Sequence, residues 1–421
     1  MGKLVSEIRK LSEKELRDYI EIVTNSYPGI MKTSTEVKEE TLKRFIERQT
    51  DDDTLDYYGL FRNNKLIGGM RLHYHKMNLF SKIIPVGGVG LVAVDLLHKK
   101  EKVAKELIES FMKIFLVKGV NLVLLYPFRP DFYKKMGFGY GPKMHQYRIR
   151  PESFPKGHGK SHLRFLSSED KEKVNECYTG IAKRTNGLFL KTTAELDGMF
   201  SNLENRMIGF DDGKEIKGYL LFSFEKRSQT NFIFNDLVIK EFIYDSPEAL
   251  LEMSTFLHSQ ADQVDRIVWN TQEENVHFLI DDPRNGSDNL LPSVYHESNI
   301  SGVGLMYRII DPKGIIEDLK AYNFNHITAK VKVNITDTML TQNDGELILH
   351  STEGRVQVLE NGEYDVEISL DVSDFSSLLM GVVSFKELYL FGKAKLSNPN
   401  YLNTVNSLFF TTDKPRCISV F

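Results

Sequence analysis

The hydrophobic residues at the start of the chain follow two periods, one typical of helices and one typical of strands. Residues 12–26 and 34–49 place apolar side chains at intervals of three and four, which predicts two amphipathic helices. Residues 57–76 form two β-like runs joined by Asn63 and Asn64, a pattern typical of a hairpin. The chain is therefore expected to open with two helices and to continue as a sheet.

Strand and helix patterns alternate over the next stretch. A strand is predicted over Gly87–Val94, an amphipathic helix over Glu101–Lys118 and an almost wholly apolar strand over Asn121–Tyr126. Continuous apolarity in a short run is typical of a strand that is buried on both faces of a sheet. The candidate chemistry of the chain lies at the ends of these elements.

A similar order of elements recurs about 150 residues later. Residues 206–226 match residues 59–76 in order and spacing, including a second strand that begins Ile-x-Gly. A strand over 234–242, a helix over 247–263 and a strand over 266–270 are predicted to follow. The repeat predicts two domains of one fold, and the chance occurrence of two α/β units is the alternative.

The last part of the chain has the pattern of a third, α+β domain. Residues 281–301 are rich in Asp, Asn, Gly, Pro and Ser and are predicted to be a linker. Hairpin turns are predicted at Asn343-Asp344 and at Asn361-Gly362. The predicted helices cover 312–320, 373–380 and 399–409, and the predicted strands cover 329–334, 346–350, 355–359 and 364–370.

Length and composition agree with several globular domains. The chain has 421 residues, with 41% hydrophobic residues, 27% charged residues and a formal net charge of -4. This composition argues against a disordered chain and against a protein that coats nucleic acid. Since domains usually have about 100–150 residues, three are expected, over 1–145, 146–290 and 291–421.

Cysteine usage and hydropathy predict a cytoplasmic protein without a membrane partner. Cys177 and Cys417 lie far apart and have no metal-ligand spacing, which argues against a disulfide framework. Residues 1–19 are amphipathic and charged and lack the apolar core of a signal peptide. No metal is expected, because His73 and His75 share a strand face without a visible third ligand.

A short basic loop stands between a predicted strand and a predicted helix in Gly90–Ile108. The first N–H groups of a helix lack partners and carry the positive end of its dipole, so they form an anion site. His98, Lys99 and Lys100 add positive charge there. The pattern favours a phosphate-bearing cofactor, with a solvated run of lysines as the alternative.

Two motifs resemble those of GNAT acetyltransferases. Lys99-x-x-Lys102-x-Ala104 resembles the family's Arg/Gln-x-x-Gly-x-Gly/Ala loop, although a lysine replaces the middle glycine. Residues 127–141 resemble its Phe-Tyr-x-x-x-Gly-Phe signature. The resemblance implies acetyl-CoA as co-substrate, bound by the following residues: Val92 and Val94 through backbone groups, and Lys99, Lys100, Lys102, Val103 and Ala104 in the loop and helix start.

The GNAT resemblance also implies that Tyr133 protonates the leaving thiolate of coenzyme A. A phenol with a pKa near 10 stays protonated at neutral pH and can donate to a thiolate whose conjugate acid has a pKa near 8.5. Simple packing of this segment against the sheet is the alternative for Tyr133, and it is the expected role of Phe132 and Met136.

The whole chain resembles the enhanced intracellular survival (Eis) type of GNAT N-acetyltransferase. Four stretches carry the resemblance: Pro127–Tyr133, Leu305–Leu319, Leu370–Gly381 and Gly392–Phe409. The resemblance implies an α+β protein with two GNAT-type acetyltransferase domains, the second degenerate, followed by a sterol-carrier-protein-like domain. The second domain lacks a basic loop at Tyr244–Ala249, so it is expected to help build the acceptor cleft without holding coenzyme A.

The C-terminal sequence PRCISVF raises a question of its own, because it ends on an apolar residue. In the Eis-type family the C-terminal carboxylate enters the acetyltransferase cleft as general base, which implies this role for Phe421. Its carboxyl pKa, ordinarily about 3.5, would be raised by desolvation. A last edge strand is the alternative.

These inferences together predict an acetyl-CoA-dependent N-acetyltransferase in which a primary amine attacks the thioester directly. The family resemblance implies aminoglycoside-like polyamines as acceptors and a hexameric assembly. Two alternatives remain: an enzyme that acetylates protein lysines, and a non-catalytic protein that binds a hydrophobic ligand in the sterol-carrier-like domain.

Overall fold

The computed structural model describes residues 6–29, 34–232, 234–419 and 421. Residues 1–5 of the predicted charged N-terminus and Val420 of the possible C-terminal strand lie outside the described residues. The chain forms two compact units. The first unit holds the described residues up to Gly141 together with Leu305–Pro415 and Phe421, and the second holds those of Pro142–Gly304 together with Arg416–Ser419.

The elements of the first unit that precede Gly141 are β1 (Glu7–Lys10), α1 (Glu13–Ser26), α2 (Thr35–Asp51), β2 (Leu55–Arg62), β3 (Lys65–Leu79), β4 (Lys82–Val94), α3 (Val103–Val117), β5 (Leu122–Leu125), α4 (Pro130–Lys134) and β6 (Gly139–Tyr140). The elements of the second unit are β7 (Lys143–Ile149), β8 (Leu163–Phe165), α5 (Lys171–Ala182), α6 (Thr193–Ser201), β9 (Arg206–Asp211), β10 (Ile216–Lys226), β11 (Asn235–Tyr244), α7 (Pro247–His258), β12 (Val264–Thr271), β13 (Leu290–Leu291), β14 (Tyr295–His296) and β15 (Asn299–Val303). The first unit continues with β16 (Met306–Ile309), α8 (Pro312–Asp318), β17 (Ala329–Thr336), β18 (Gly345–Thr352), β19 (Arg355–Leu359), β20 (Val366–Asp371), α9 (Val372–Leu379), α10 (Phe385–Leu390), β21 (Ala394–Leu396) and α11 (Leu402–Phe409).

The first unit contains a mixed sheet in the order β1-β2-β3-β4-β5-β16-β6. Its neighbours are antiparallel except β4 and β5, which run parallel because α3 carries the chain back across the sheet. Helix α3 buries one stripe against the sheet, and this stripe consists of Val103, Leu107, Ile108, Phe111, Met112 and Phe115. The predicted core helix and the predicted fully buried strand are therefore confirmed.

The second unit repeats this strand plan, in the order β8-β9-β10-β11-β12-β7-β15. Here too the fourth and fifth strands, β11 and β12, are parallel and the other neighbours are antiparallel. The repeat predicted from the two Ile-x-Gly strands is thus a repeat of the fold. The predicted linker is wrong in part, because β13, β14 and the start of β15 lie within it.

A five-stranded sheet in the order β19-β18-β17-β20-β21 completes the first unit. The predicted hairpin at Asn361-Gly362 is wrong, since β19 pairs with β18 while β20 pairs in parallel with β17. The tight turn of this sheet is at Glu353-Gly354, where both residues have positive φ angles of 50° and 83°. Asn343-Asp344 belongs to a longer connection between the antiparallel strands β17 and β18.

Candidate active site

The first unit has an opening where β4 and β5 stop pairing. Their parallel register runs from Gly87 opposite Val123 to Val89 opposite Leu125, but β4 continues to Val94. Along this extra length β4 stays paired with β3 on its other side. The backbone of β4 beyond Val89 is therefore free of a β5 ladder, at the carboxyl end of parallel strands where α/β proteins usually bind ligands.

Helix α1 and Tyr27, the residue that follows it, contribute hydroxyl groups to this stretch of β4. The hydroxyl of Tyr27 donates to the carbonyl oxygen of Val92 at 2.8 Å, and Ser26 Oγ donates to that of Val94 at 3.1 Å. The hydroxyl of Tyr19 donates to the carbonyl oxygen of Leu91, whose φ is +46° at a β-bulge. Each carbonyl keeps a second lone pair, so Val92 and Val94 can still accept a ligand amide.

The basic loop leads directly into α3. Lys102 is the N-cap of α3 and has left-handed backbone angles, φ 64° and ψ 10°, and Lys100 also has a positive φ of 70°. Lys99, Lys100 and Lys102 are exposed, whereas Val103 is buried against the core and Ala104 is half-buried. The backbone of Lys102 thus takes the conformation that favours the glycine of the GNAT loop.

Arg62 ties this loop to the sheet. Its guanidinium contacts the carboxylate of Glu101 at 2.9 Å and that of Glu106 at 2.8 Å, and only 9% of the Arg62 side chain is exposed. No local pattern predicts this network, because Arg62 lies on β2, far from the loop along the chain. The ion pairs hold the N-terminus of α3 in place beside the opening.

Tyr133 lies on the short helix α4 and is 3% exposed. The rings of Phe128, Phe132 and Phe138 meet it edge-on at centroid distances of 5.7, 5.2 and 6.0 Å. Burial, and secondarily the nearby Tyr27, raise the pKa of Tyr133 above its ordinary value. The phenol therefore stays protonated at neutral pH.

Phe421 packs on the face of β4 opposite to α3. A Cβ on Gly87 would lie 2.6 Å from the ring of Phe115 in α3, whereas a Cβ on Gly88 would lie 2.9 Å from the ring of Phe421. On Gly90 it would lie 3.2 Å from the main-chain carboxyl carbon of Phe421. Cys417–Ser419 and Phe421 form no strand, so the edge-strand alternative is wrong for these residues.

Three rings surround Phe421: those of His73, His75 and Tyr126, at centroid distances of 5.3, 5.2 and 5.4 Å. The two histidines are buried on β3, and their rings stack at 5.5 Å. Their spacing in the sequence suggested only metal ligation. The alternation of glycines at Gly88 and Gly90 was a signal for close approach of another group to this strand.

Arg71 completes this face of the sheet. It lies opposite Gly90 in the β3–β4 register, as His73 lies opposite Gly88. Its Nε donates to Nε2 of His73 at 2.8 Å. Burial, and then the positive charge of Arg71, lower the pKa of His73 well below its ordinary value, so this imidazole is neutral and accepts the hydrogen bond. Arg71 was not predicted from the sequence.

In the second unit, α7 corresponds to α3, and the backbone N–H groups at its start already have a hydrogen-bond acceptor. Ser246 Oγ accepts from the backbone N–H of Ala249 at 3.1 Å, and Pro247 has no N–H to offer. A hydrogen bond from its own backbone N–H, with a second from Ser246, lowers the pKa of the Glu248 carboxyl. A cavity of about 470 Å³ lies nearby, walled by Phe242, Tyr244 and Trp269. This helix start carries a carboxylate where a pyrophosphate site needs free donors and positive charge.

Comparison with family models defines the class of protein. Residues 7–141 and residues 181–309 each match a model of an acetyltransferase (GNAT) domain, and residues 317–418 match a model of a sterol carrier protein domain. The predicted fold class is confirmed: the chain carries two GNAT domains followed by a sterol carrier domain. By these domains it is an acetyltransferase of the GNAT type.

Solved structures share this arrangement over the whole chain. A GCN5-related N-acetyltransferase from Anabaena variabilis superposes with a TM-score of 0.82 at 18% identity, over 99% of this chain and 100% of that one. A GCN5-related N-acetyltransferase from Kribbella flavida superposes with a TM-score of 0.80 at 15% identity. Eis1 from Mycobacterium abscessus superposes with a TM-score of 0.72 at 17% identity, and both alignments cover 99% of this chain and 100% of the other. The predicted resemblance to Eis-type acetyltransferases is thus confirmed at the level of the fold. No curated protein matches the sequence.

Two further findings concern the described residues alone. Within them, no helix combines the length and apolarity that a membrane crossing requires. Nor do three or more His, Cys, Asp or Glu side chains come together there in a group that could hold a metal ion.

Proposed function

We propose that the chain transfers the acetyl group of acetyl-CoA to a primary amine by direct attack on the thioester, with the main-chain carboxylate of Phe421 as general base and Tyr133 as general acid. The observation that carries the proposal is the docking of Phe421 on Gly88 and Gly90, beside the opening between β4 and β5. A binding protein has no need of a carboxyl group at that point.

The residues around the opening fit a pyrophosphate-bearing thioester. The backbone of Val92 and Val94 can accept from the amide groups of a pantetheine arm, and the first N–H groups of α3, at Val103 and Ala104, face the loop with Lys99 and Lys100. Acetyl-CoA supplies the activated acetyl group. The second domain does not bind it, because the start of α7 is capped and negatively charged.

Two groups of this chain move protons in the proposed reaction. The carboxylate of Phe421 takes a proton from the nitrogen of the attacking amine, directly or through water, while the rings of His73, His75 and Tyr126 hold the Phe421 side chain. Tyr133 gives its hydroxyl proton to the leaving thiolate while the C–S bond breaks. The transfer is uphill, because a phenol is a weaker acid than a thiol with a pKa near 8.5 and burial raises the pKa of Tyr133 further, so it depends on a hydrogen bond from the phenol to the sulfur.

The proposed acceptor is a small polyamine of the aminoglycoside-like kind. A cavity of about 760 Å³ in the first unit is lined by Glu15, Asp18, Glu21 and Asp95, with Lys65 as the cation among its lining residues. Arg9, Lys38 and Lys65 form ion pairs with Glu15, Glu21 and Asp95, so a bound polycation would replace these partners. We also propose a cytoplasmic location, a hexameric assembly and domain limits of 1–145, 146–290 and 291–421, as the family resemblance implies.

Thiol release measured over a panel of amines tests the reaction. The panel includes polyamines and a lysine-containing peptide, so that it separates small acceptors from protein lysines. Extension of the chain by a few residues past Phe421 and the substitution Tyr133→Phe are each expected to lower kcat by about 10²–10⁴-fold, the usual contribution of acid–base catalysis. Tyr140→Phe, an exposed tyrosine seven positions along the sequence, is the control and keeps full activity. Full activity of both test variants would refute the assignment.

A further inference from the structure

Arg71 is a half-buried cation whose charge is not neutralised by an acidic side chain. Within the described residues it forms no ion pair with Asp or Glu, and its Nε donates a hydrogen bond to the neutral ring of His73. A buried charge without a counterion is costly, so such a group usually marks the place of an anion. The question is which anion this guanidinium faces.

The other groups around Arg71 do not provide one. Its positive charge acts on the buried phenols of Tyr19 and Tyr57, whose pKa values are raised by burial, and on His73. Arg48 adds a second positive charge that acts on Tyr57 and His73. These partners are neutral or positive at neutral pH, and they make the surroundings of Arg71 more electropositive.

The main-chain carboxyl group of Phe421 and the guanidinium of Arg71 both lie close to Gly90. A Cβ at position 90 would lie 3.2 Å from the carboxyl carbon of Phe421 and 3.5 Å from Nη2 of Arg71. Glycine lacks this atom, and Arg71 is the cross-strand neighbour of Gly90. The missing side chain therefore leaves room in which the cation and the carboxylate approach each other.

We propose that Arg71 is the positioning residue for the carboxylate of Phe421. His73 orients the guanidinium of Arg71 by accepting a hydrogen bond from its Nε. The guanidinium keeps the carboxylate ionised and directed along β4, while the rings of His73 and His75 hold the Phe421 side chain. This inference rests on the proposed function, because it gives the general base the orientation that proton transfer requires.

The pH dependence of kcat/KM tests the role of the charge. A nearby cation lowers the pKa of a carboxyl group, so its removal raises that pKa. In Arg71→Gln we expect kcat to fall at least about 10-fold and the acid limb of kcat/KM to move up by about 1 pH unit. Arg71→Lys keeps the charge and should keep the limb near its original pH. Lys76→Gln removes an exposed cation from the same strand and is the control.

A stability cycle gives a readout that does not depend on activity. The intact chain, Arg71→Gln, the chain extended past Phe421 and the double variant are compared by thermal unfolding. If Arg71 binds the carboxylate, extension past Phe421 should lower Tm less in Arg71→Gln than in the unsubstituted chain. Equal losses of Tm in the two backgrounds would contradict the proposal.

The outcomes separate this inference from the proposed function. An extended chain with full activity would refute the carboxylate base itself, whatever Arg71 does. An inactive extended chain together with an unmoved acid limb in Arg71→Gln would refute the positioning role alone. A rise in acceptor KM with an unchanged kcat and limb would mean that Arg71 binds an anionic group of the acceptor, which also overturns the proposal.

Discussion

Gly88 and the ring of Phe421 are in contact across more than 300 residues of sequence. A methyl group on Gly88 would lie 2.9 Å from the ring and 3.2 Å from Cβ of His73. The strand therefore has a glycine here because another part of the same chain occupies the space of a side chain.

The first prediction concerns this contact. Gly88→Ala should displace the Phe421 ring, with a cost of about 1–3 kcal/mol typical of overpacking and a fall in kcat of about 10²-fold from the misplaced carboxylate. Gly302→Ala is the matched control, since Gly302 also lies in a strand but has open space around it. Thermal unfolding and thiol release measure both variants, and equal behaviour of the two would contradict the packing argument.

The second prediction concerns the left-handed N-cap of α3. A non-glycine residue in this conformation costs about 1–2 kcal/mol, partly offset because glycine loses more entropy on folding. Lys102→Gly should therefore raise stability by less than about 1 kcal/mol and lower the KM for acetyl-CoA. Lys105→Gly, inside α3, should instead destabilise by about 1 kcal/mol. A higher KM in Lys102→Gly would show that the lysine charge matters more than the backbone gap.

The third prediction concerns the alkaline pH dependence. Because burial raises the pKa of Tyr133, loss of its proton moves to higher pH than for a free phenol. The kcat profile should thus show no loss of the general acid below about pH 10. Tyr133→Phe should lower kcat at every pH without altering the profile in this range. An alkaline limb near pH 8–9 that disappears in Tyr133→Phe would contradict this expectation.

The fourth prediction concerns the number of coenzyme A sites. The capped start of α7 and the carboxylate of Glu248 predict one site per chain, in the first GNAT domain. Calorimetric titration with coenzyme A measures this stoichiometry. Charge reversal at Lys99 should weaken the binding, while Lys240→Glu in the second domain should leave it unchanged. Two sites per chain would overturn the interpretation of the second domain as degenerate.

The fifth prediction concerns a buried ion pair in the first unit. Arg308 on β16 contacts Asp337 at 2.5 Å, and both side chains are fully buried. Asp337→Asn removes the hydrogen-bonded counterion of the guanidinium, which should destabilise the protein by about 3–5 kcal/mol. Glu360→Gln breaks the exposed pair with Lys313 and should change Tm little. Chemical denaturation compares the two variants, and a small effect of Asp337→Asn would mean that another group or water compensates the charge.

The sequence by itself determined the local elements of the site. Helical periodicity marked α3, continuous apolarity marked β5, and the positions of Lys99, Lys102 and Tyr133 relative to them were legible because neighbours along the chain stay neighbours in these elements. The repeated Ile-x-Gly strands similarly revealed the second GNAT domain. The role of Phe421 was an implication of the family resemblance and of no local pattern.

Only the tertiary structure decided which distant residues meet. The insertion of β16 between β5 and β6, the pairing of β20 with β17, and the position of Arg62 beside α3 all depend on long-range packing. Arg71, His73 and Gly90 share a face because β3 and β4 have one register. Periodicity states which face a side chain occupies, but it contains no information on what covers that face, since this is fixed by the free energy of the whole fold.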